Sequence, residues 1–278
     1  MVTIFLGTLL SHLLSLTQSE SLVALQTPSS ATHSYFANKH NVFNLWFVKY
    51  AWGWTSFVFV LHWLAAPKGV RRPASWVRYT LATLAFLAFT AWFFGPAMMD
   101  RLRILSGGEC VLPVPSPPAS TGTSLSPPSA PYLLRVPYTL CYTRTPLSPS
   151  THPELFAQPD IPAPPAGFRL TPRLRKGHDV SGHIFLLTLA VLFLVDEVAL
   201  SWGLIWFART RGVKPTWTHL WATVLVSALL VLWGWMVLIT SVYFHTPEEK
   251  FSGFVIGLAA YAFSQIPLPF LDRWLDPR

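Results

Sequence analysis

Five stretches of this chain, 44–66, 76–98, 182–207, 217–243 and 247–266, are apolar and nearly free of charge. Each is close to the roughly 20 residues that carry a helix across the hydrocarbon of a bilayer. Inside lipid no water can satisfy a backbone N–H or C=O, so runs of this kind must close their own hydrogen bonds as helices. A sixth stretch, 2–16, is weaker and reaches residue 25 only through the polar TQSES. It reads either as a span or as a signal peptide, although it lacks a basic leading region. Both readings place 29–41 outside the cytosol. Composition agrees: 12% of residues are charged, where a soluble domain carries about 25%. The net charge of +8 would point to nucleic acid in a soluble domain. In a membrane chain it reads as a topology signal and as attraction to anionic headgroups, and no nucleic acid is expected.

The short loops set the expected orientation. Lys68, Arg71 and Arg72 lie in one, and Arg209, Arg211 and Lys214 in another. Basic residues in short loops stay on the cytosolic side. Alternation then puts 17–43, 99–181 and the turn at 244–246 on the lumenal side, and the C-terminus with Arg273 and Arg278 in the cytosol. The segment 99–181 is also basic, but long loops carry little weight in that rule. Residues 111–167 are crowded with Pro and Ser, a composition that buries too little apolar surface to fold alone and reads as disordered. Cys110 and Cys141, the two cysteines of the chain, both fall on the lumenal side. They form either a disulfide, which that compartment allows, or two free thiols. The nine histidines are scattered, and no metal cluster or cofactor is expected. The architecture expected is an all-α integral membrane protein: six transmembrane helices in one bundle, residues 1–278 as one membrane domain, with 111–167 as a long, partly disordered lumenal loop.

Two helix junctions carry chemistry. In HDVSGHIFLLT, Ser181 precedes the first apolar turn and is placed to cap it. Gly182 and His183 then occupy the first turn, where unpaired N–H groups and a partial positive charge suit a phosphate. Arg169, Arg173, Arg175 and Lys176 lie just upstream. The bland reading is a simple cap beside a solvated basic loop. The second junction is SVYFHTPEEKFSG. Thr246, Pro247 and Glu249 make a capping-box pattern, so the turn is tight and His245 stands at its tip. The expected topology brings His183 and His245 to the same face and depth. Gly253 and Gly257 make a GxxxG spacing, which close helix packing explains.

At these residues the chain resembles a known family. THSYFANKHNVFNLWFVKYAWGWTSF (32–57), GHDVSGHIFLLT (177–188) and VYFHTPEEKFSG (242–253) are similar, in the same order, to segments of the fat storage-inducing transmembrane family. The shape suggests a fungal member with an enlarged lumenal loop. The resemblance implies an endoplasmic reticulum membrane protein supporting lipid droplet formation and lipid homeostasis, with a lumenal active site. It also implies acyl-CoA diphosphatase activity, which splits a fatty acyl-CoA into acyl 4′-phosphopantetheine and adenosine 3′,5′-bisphosphate. The family is in turn similar to the lipid phosphate phosphatase superfamily. That likeness would make His245 the nucleophile and His183 the acid for the leaving group, with Glu248 or Glu249 orienting His245.

The chain departs from that superfamily. No Arg lies shortly before His245, and a lumenal Lys…Arg-Pro motif is absent; Lys68 and Arg72-Pro73 lie in a loop expected on the cytosolic side. Lys49 is then the first candidate to neutralise phosphate, about 8 Å below the lumenal end of its span, unless it snorkels to the headgroups. Arg173, Arg175 and Lys176 are the second candidates, and Ser181 is a third contact. Asp196 and Glu197 sit in mid-span, where ionisable groups face an interior or a cavity. Glu197 lies on nearly the same helix face as His183, and lines a polar wall, contacts a headgroup or pairs with neighbouring spans. The alternative function is a non-enzymatic binder of diacylglycerol or triacylglycerol that partitions neutral lipid in the bilayer and does not need the two histidines.

Overall fold

The computed structural model describes residues 1–14, 35–38, 40–91, 96–115, 131–157, 164–206 and 215–266. The extension of the first run beyond residue 14, the basic loop 208–214, the basic C-terminus and the stretches 116–130 and 158–163 lie outside the described residues. The chain divides into two compact units. One comprises Met1–Ser19, His33–Trp92 and Val180–Arg278, the other Glu20–Thr32 and Phe93–Asp179.

Helices of the first unit stand at each apolar run. They are α1 (Val2–Leu13), α2 (Ala51–Ala65) and α3 (Ala74–Thr90), with α7 (Gly182–Trp206), α8 (Trp217–Tyr243) and α9 (Pro247–Gln265). A π-helical turn, Phe43–Val48, leads into α2. Of these, α7 and α8 are long and apolar enough to cross a membrane. The helix α7 is the central element: α2, α3, α8 and α9 all pack on it, while α1 packs on α8. Its inward residues Ile184, Phe185, Leu187, Leu189, Ala190, Phe193 and Val198 are fully enclosed. An aromatic cluster of Trp52, Phe59, Tyr79 and Phe193 joins α2, α3 and α7. The polar ends of two tryptophans find partners inside the bundle: Trp52 Nε1 donates to Thr83 Oγ1 at 3.1 Å and Trp233 Nε1 to Thr55 Oγ1 at 3.3 Å. Such pairing is what burial of an indole N–H requires.

Several other buried polar groups are paired as well. Arg78 of α3, 2% exposed, donates from Nη1 to Glu197 Oε1 at 2.8 Å and from Nη2 to Asp196 Oδ2. Tyr261 of α9 donates its hydroxyl to the same Asp196 oxygen at 2.6 Å. Ser201 Oγ lies between His62 Nε2 at 2.8 Å and His219 Nε2 at 2.9 Å. One hydroxyl thus serves both imidazoles, with one donor and two acceptor lone pairs to offer them.

In the second unit the described residues 111–115 and 131–157 are ordered, where disorder was expected across 111–167. Its described residues form a helix α4 (Met98–Leu105), strands β1 (Glu109–Val114) and β2 (Tyr132–Arg135), short helices α5 (Tyr138–Thr143) and α6 (Pro153–Phe156), and strand β3 (Arg173–Arg175). The strands make an antiparallel sheet in the order β2-β1-β3. Leu112, Val114, Leu134, Val136 and Leu147 close a small core around the Cys110–Cys141 disulfide, whose Cα atoms are 6.0 Å apart. Composition misled because it counts prolines without placing them. Pro137 stands at the cap of α5 and Pro153 in the first turn of α6, where a missing N–H costs nothing. The bridge spans 31 residues and contributes about 3–4 kcal/mol in the chain-entropy model, which offsets the small size of the core.

Candidate active site

The start of α7 and the turn between α8 and α9 are built against each other. Ser181 caps α7: the Ile184 N–H donates to Ser181 Oγ at 3.4 Å, and the Phe185 N–H to its carbonyl at 3.0 Å. Its own N–H donates to the carbonyl of Glu249 at 3.1 Å, a backbone bond from the mouth of α7 to the first turn of α9. Two glycines permit this approach. A Cβ on Gly253 would stand 2.6 Å from the Ser181 carbonyl oxygen, and one on Gly257 would stand 2.8 Å from that of Phe185. The GxxxG spacing is therefore the seam between α9 and α7.

His245 is set by the same turn. The helix α8 ends at Tyr243 and α9 begins at Pro247, so the chain must reverse in very few residues. It does so with His245 in the left-handed region, φ +63°, a conformation uncommon outside glycine. Thr246 then caps α9 in a full capping box: Glu249 N–H donates to Thr246 Oγ1 at 3.4 Å, and Thr246 N–H to Glu249 Oε2 at 3.0 Å. The same carboxylate oxygen lies 3.3 Å from His245 Nδ1. One oxygen thus caps the helix and holds the ring, which leaves Nε2 as the ring's outward nitrogen. His245 remains 23% exposed. His183, in the first turn of α7, is half-buried. It stands two positions after Ser181, and His245 stands four positions before Glu249, so the interhelix bond brings both histidines to one end of the bundle.

The other residues singled out from the sequence are dispersed. Lys49 is exposed where the π-helical turn ends, its N–H donating to Asn44 O at 3.1 Å. Glu197 is about 21 Å along α7 from His183, and its carboxylate is committed to Arg78. Arg173, Arg175 and Lys176 belong to the second unit. There Lys176 pairs with Glu109 at 3.1 Å, and Asp179 pairs with Arg103 at 3.0 Å. His178 donates its backbone N–H to Ser106 Oγ at 2.6 Å.

Two residues of consequence escaped the sequence reading. Arg78 lies within an apolar run, and it is the partner that Asp196 and Glu197 require. Lys250 is 1% exposed, and its Nζ donates to the carbonyl of Ser241 in the last turn of α8 at 2.7 Å. The available signal was spacing: Lys250, Gly253 and Gly257 fall at i, i+3 and i+7, one helix face.

The chain is similar to known proteins over most of its length. Residues 32–264 match the family described as "Fat storage-inducing transmembrane protein". The acyl-coenzyme A diphosphatase fit1 of Schizosaccharomyces pombe is 30% identical over 242 residues, covering 87% of this chain and 77% of that protein. The acyl-coenzyme A diphosphatases FITM2 of Sus scrofa and Homo sapiens are 28% and 27% identical over 241 residues, each covering 85% of this chain and 74% of theirs. No solved structure matches. The matched segment runs from before the π-helical turn into α9 and takes in both histidine junctions: the chain belongs to the fat storage-inducing transmembrane family.

Proposed function

We propose that this protein is an acyl-CoA diphosphatase of the endoplasmic reticulum membrane, crossing it six times, with its active site on the lumenal side. It would hydrolyse a fatty acyl-CoA to acyl 4′-phosphopantetheine and adenosine 3′,5′-bisphosphate and so support lipid droplet formation. The observation that carries the reading is the backbone bond from Ser181 to Glu249, which gathers His183 and His245 at one end of adjacent helices. Its relatives' activity, named above, points to the same chemistry.

In this reading His245 is the nucleophile. Glu249 holds Nδ1, which fixes the tautomer that leaves Nε2 free to attack. Nε2 forms a bond to one phosphorus of the diphosphate while the bridging oxygen departs, and His183 donates a proton to that oxygen. Water then cleaves the phosphorus–nitrogen bond and releases the second product. The N-terminus of α7, with the partial positive charge of the helix dipole, receives the phosphate oxygens beside Ser181. Lys49 supplies positive charge for the substrate's further phosphates. Glu197 has a different part: with Asp196 and Arg78 it fastens α7 to α3.

The test is direct. The full chain, purified in detergent and given an unsaturated acyl-CoA, releases adenosine 3′,5′-bisphosphate. His183→Ala and His245→Ala, folded to the same extent, release none above background. Equal product from all three chains ends the assignment. A second reading, a neutral-lipid binder, rests on an apolar groove of about 460 Å³ between α7 and α8, lined by Trp202, Trp206, Leu220, Val224 and Val231. It is the reading left standing if the histidine variants lose nothing.

A further inference from the structure

Lys250 is the one lysine among the fully buried residues described. An ammonium inside a bundle is costly and is kept where it meets a specific need. Its surroundings show the need. The last carbonyls of a helix lack intrahelical donors and carry partial negative charge. Lys250 Nζ reaches back across the turn to one of them, Ser241 O, at 2.7 Å. Ser241 is itself fixed, since α1 packs against it so closely that a Cβ on Gly7 would stand 2.6 Å from its Cβ. At its other end Lys250 is anchored in the first turn of α9, its N–H donating to Thr246 O at 3.1 Å. The side chain is thus a strut from the end of α8 to the start of α9. The residues it bridges enclose His245, the one residue of that turn with left-handed φ.

We infer that Lys250 is a positioning residue for His245, holding the α8–α9 turn so that the ring keeps its bond to Glu249 and its aim at the mouth of α7. This rests on the reading of His245 as nucleophile given above. Lys250 acts through the turn and touches neither substrate nor the reacting phosphorus.

The test uses the full chain in detergent with Lys250→Met, Lys250→Gln and Lys250→Arg. Two quantities are read for each folded chain: kcat and KM for diphosphate cleavage of oleoyl-CoA, and the rate at which diethyl pyrocarbonate modifies His245, followed by peptide mass spectrometry. Lys250→Met is expected to lower kcat about tenfold or more with KM within about twofold, the pattern of a misplaced catalytic group rather than a lost contact. It is also expected to change the His245 modification rate, and Lys250→Arg should restore part of both. Where Lys250→Met gives no folded protein, Lys250→Gln carries the test: its side chain is one atom shorter and uncharged, falls short of Ser241 O, and is expected to give the same changes in kcat and His245 modification. Unchanged kcat per folded molecule, a rise in KM alone, or an unchanged modification rate at His245 overturns the inference. A wild-type chain that cleaves no acyl-CoA, together with variants that alter His245 modification, rejects the proposed function and leaves the positioning role intact.

Discussion

At the scale of the residue, the site depends on one carboxylate serving two masters. Glu249 Oε2 accepts from the Thr246 N–H and lies against His245 Nδ1. Glutamine can still accept the first bond but brings no charge to the second. Glu249→Gln is therefore expected to leave the thermal midpoint nearly unchanged while lowering kcat roughly tenfold or more, within the range that acid–base positioning contributes; steady-state kinetics beside a melting curve checks this. The Ser181 cap and the Thr246–Glu249 box were legible in the sequence because capping residues act locally. Two things were not. The left-handed φ of His245 follows from how few residues remain between two long helices, which is a tertiary condition. Lys250 drew no reading from the sequence, because nothing local shows that a carbonyl from the preceding helix waits for it.

At the scale of the element, helix seams decide stability. Gly253→Ala would press a methyl group onto the Ser181 carbonyl, a backbone atom that cannot step aside, at a cost of about 1–3 kcal/mol. Activity is expected to fall with it, since the same seam carries the Ser181–Glu249 bond. Gly53→Ala is the control, because a Cβ there has nothing within 4 Å. Unfolding of the two variants in detergent should separate them clearly; equal stability would mean that α9 does not pack this closely on α7. The charge cluster behaves differently. Arg78→Met leaves the Glu197 side chain, 8% exposed, without its cation and should destabilise by about 3–5 kcal/mol. Adding Glu197→Gln should recover part of that loss, as measured by the same unfolding assay. The mid-span carboxylates were conspicuous in the sequence, but their partner was not. Arg78 lies one turn into an apolar run on a helix more than a hundred residues earlier, and only packing of α3 on α7 joins them.

At the scale of the whole molecule, the apolar runs located α1, α7, α8 and α9 to within three residues, whereas α2 begins seven residues into its run, after a π-helical turn, and α3 ends eight residues before its run does; the runs mark helices because the bilayer demands closed backbone hydrogen bonds. The long connection was misjudged for the opposite reason. A small sheet stapled by a disulfide needs few apolar residues, and its stability comes from a cross-link that composition does not weigh. Cys141→Ser, or reduction of the wild type, is expected to open the described segment 131–157 to limited proteolysis, whereas the oxidised chain resists; cleavage at equal rates would show that the Cys110–Cys141 bond does not support this unit. The central claim is that two imidazoles, one from the first turn of α7 and one from the α8–α9 turn, can reach one phosphorus atom. It is tested most directly by placing cysteines at both positions, His183→Cys with His245→Cys, in a chain whose native cysteines are already bonded to each other. A short bifunctional thiol reagent that fluoresces only when both of its arms have reacted then reports their separation. Rapid fluorescence in the double variant, with none in either single variant, is the predicted result; labelling of each cysteine without the bridged product would contradict the shared site.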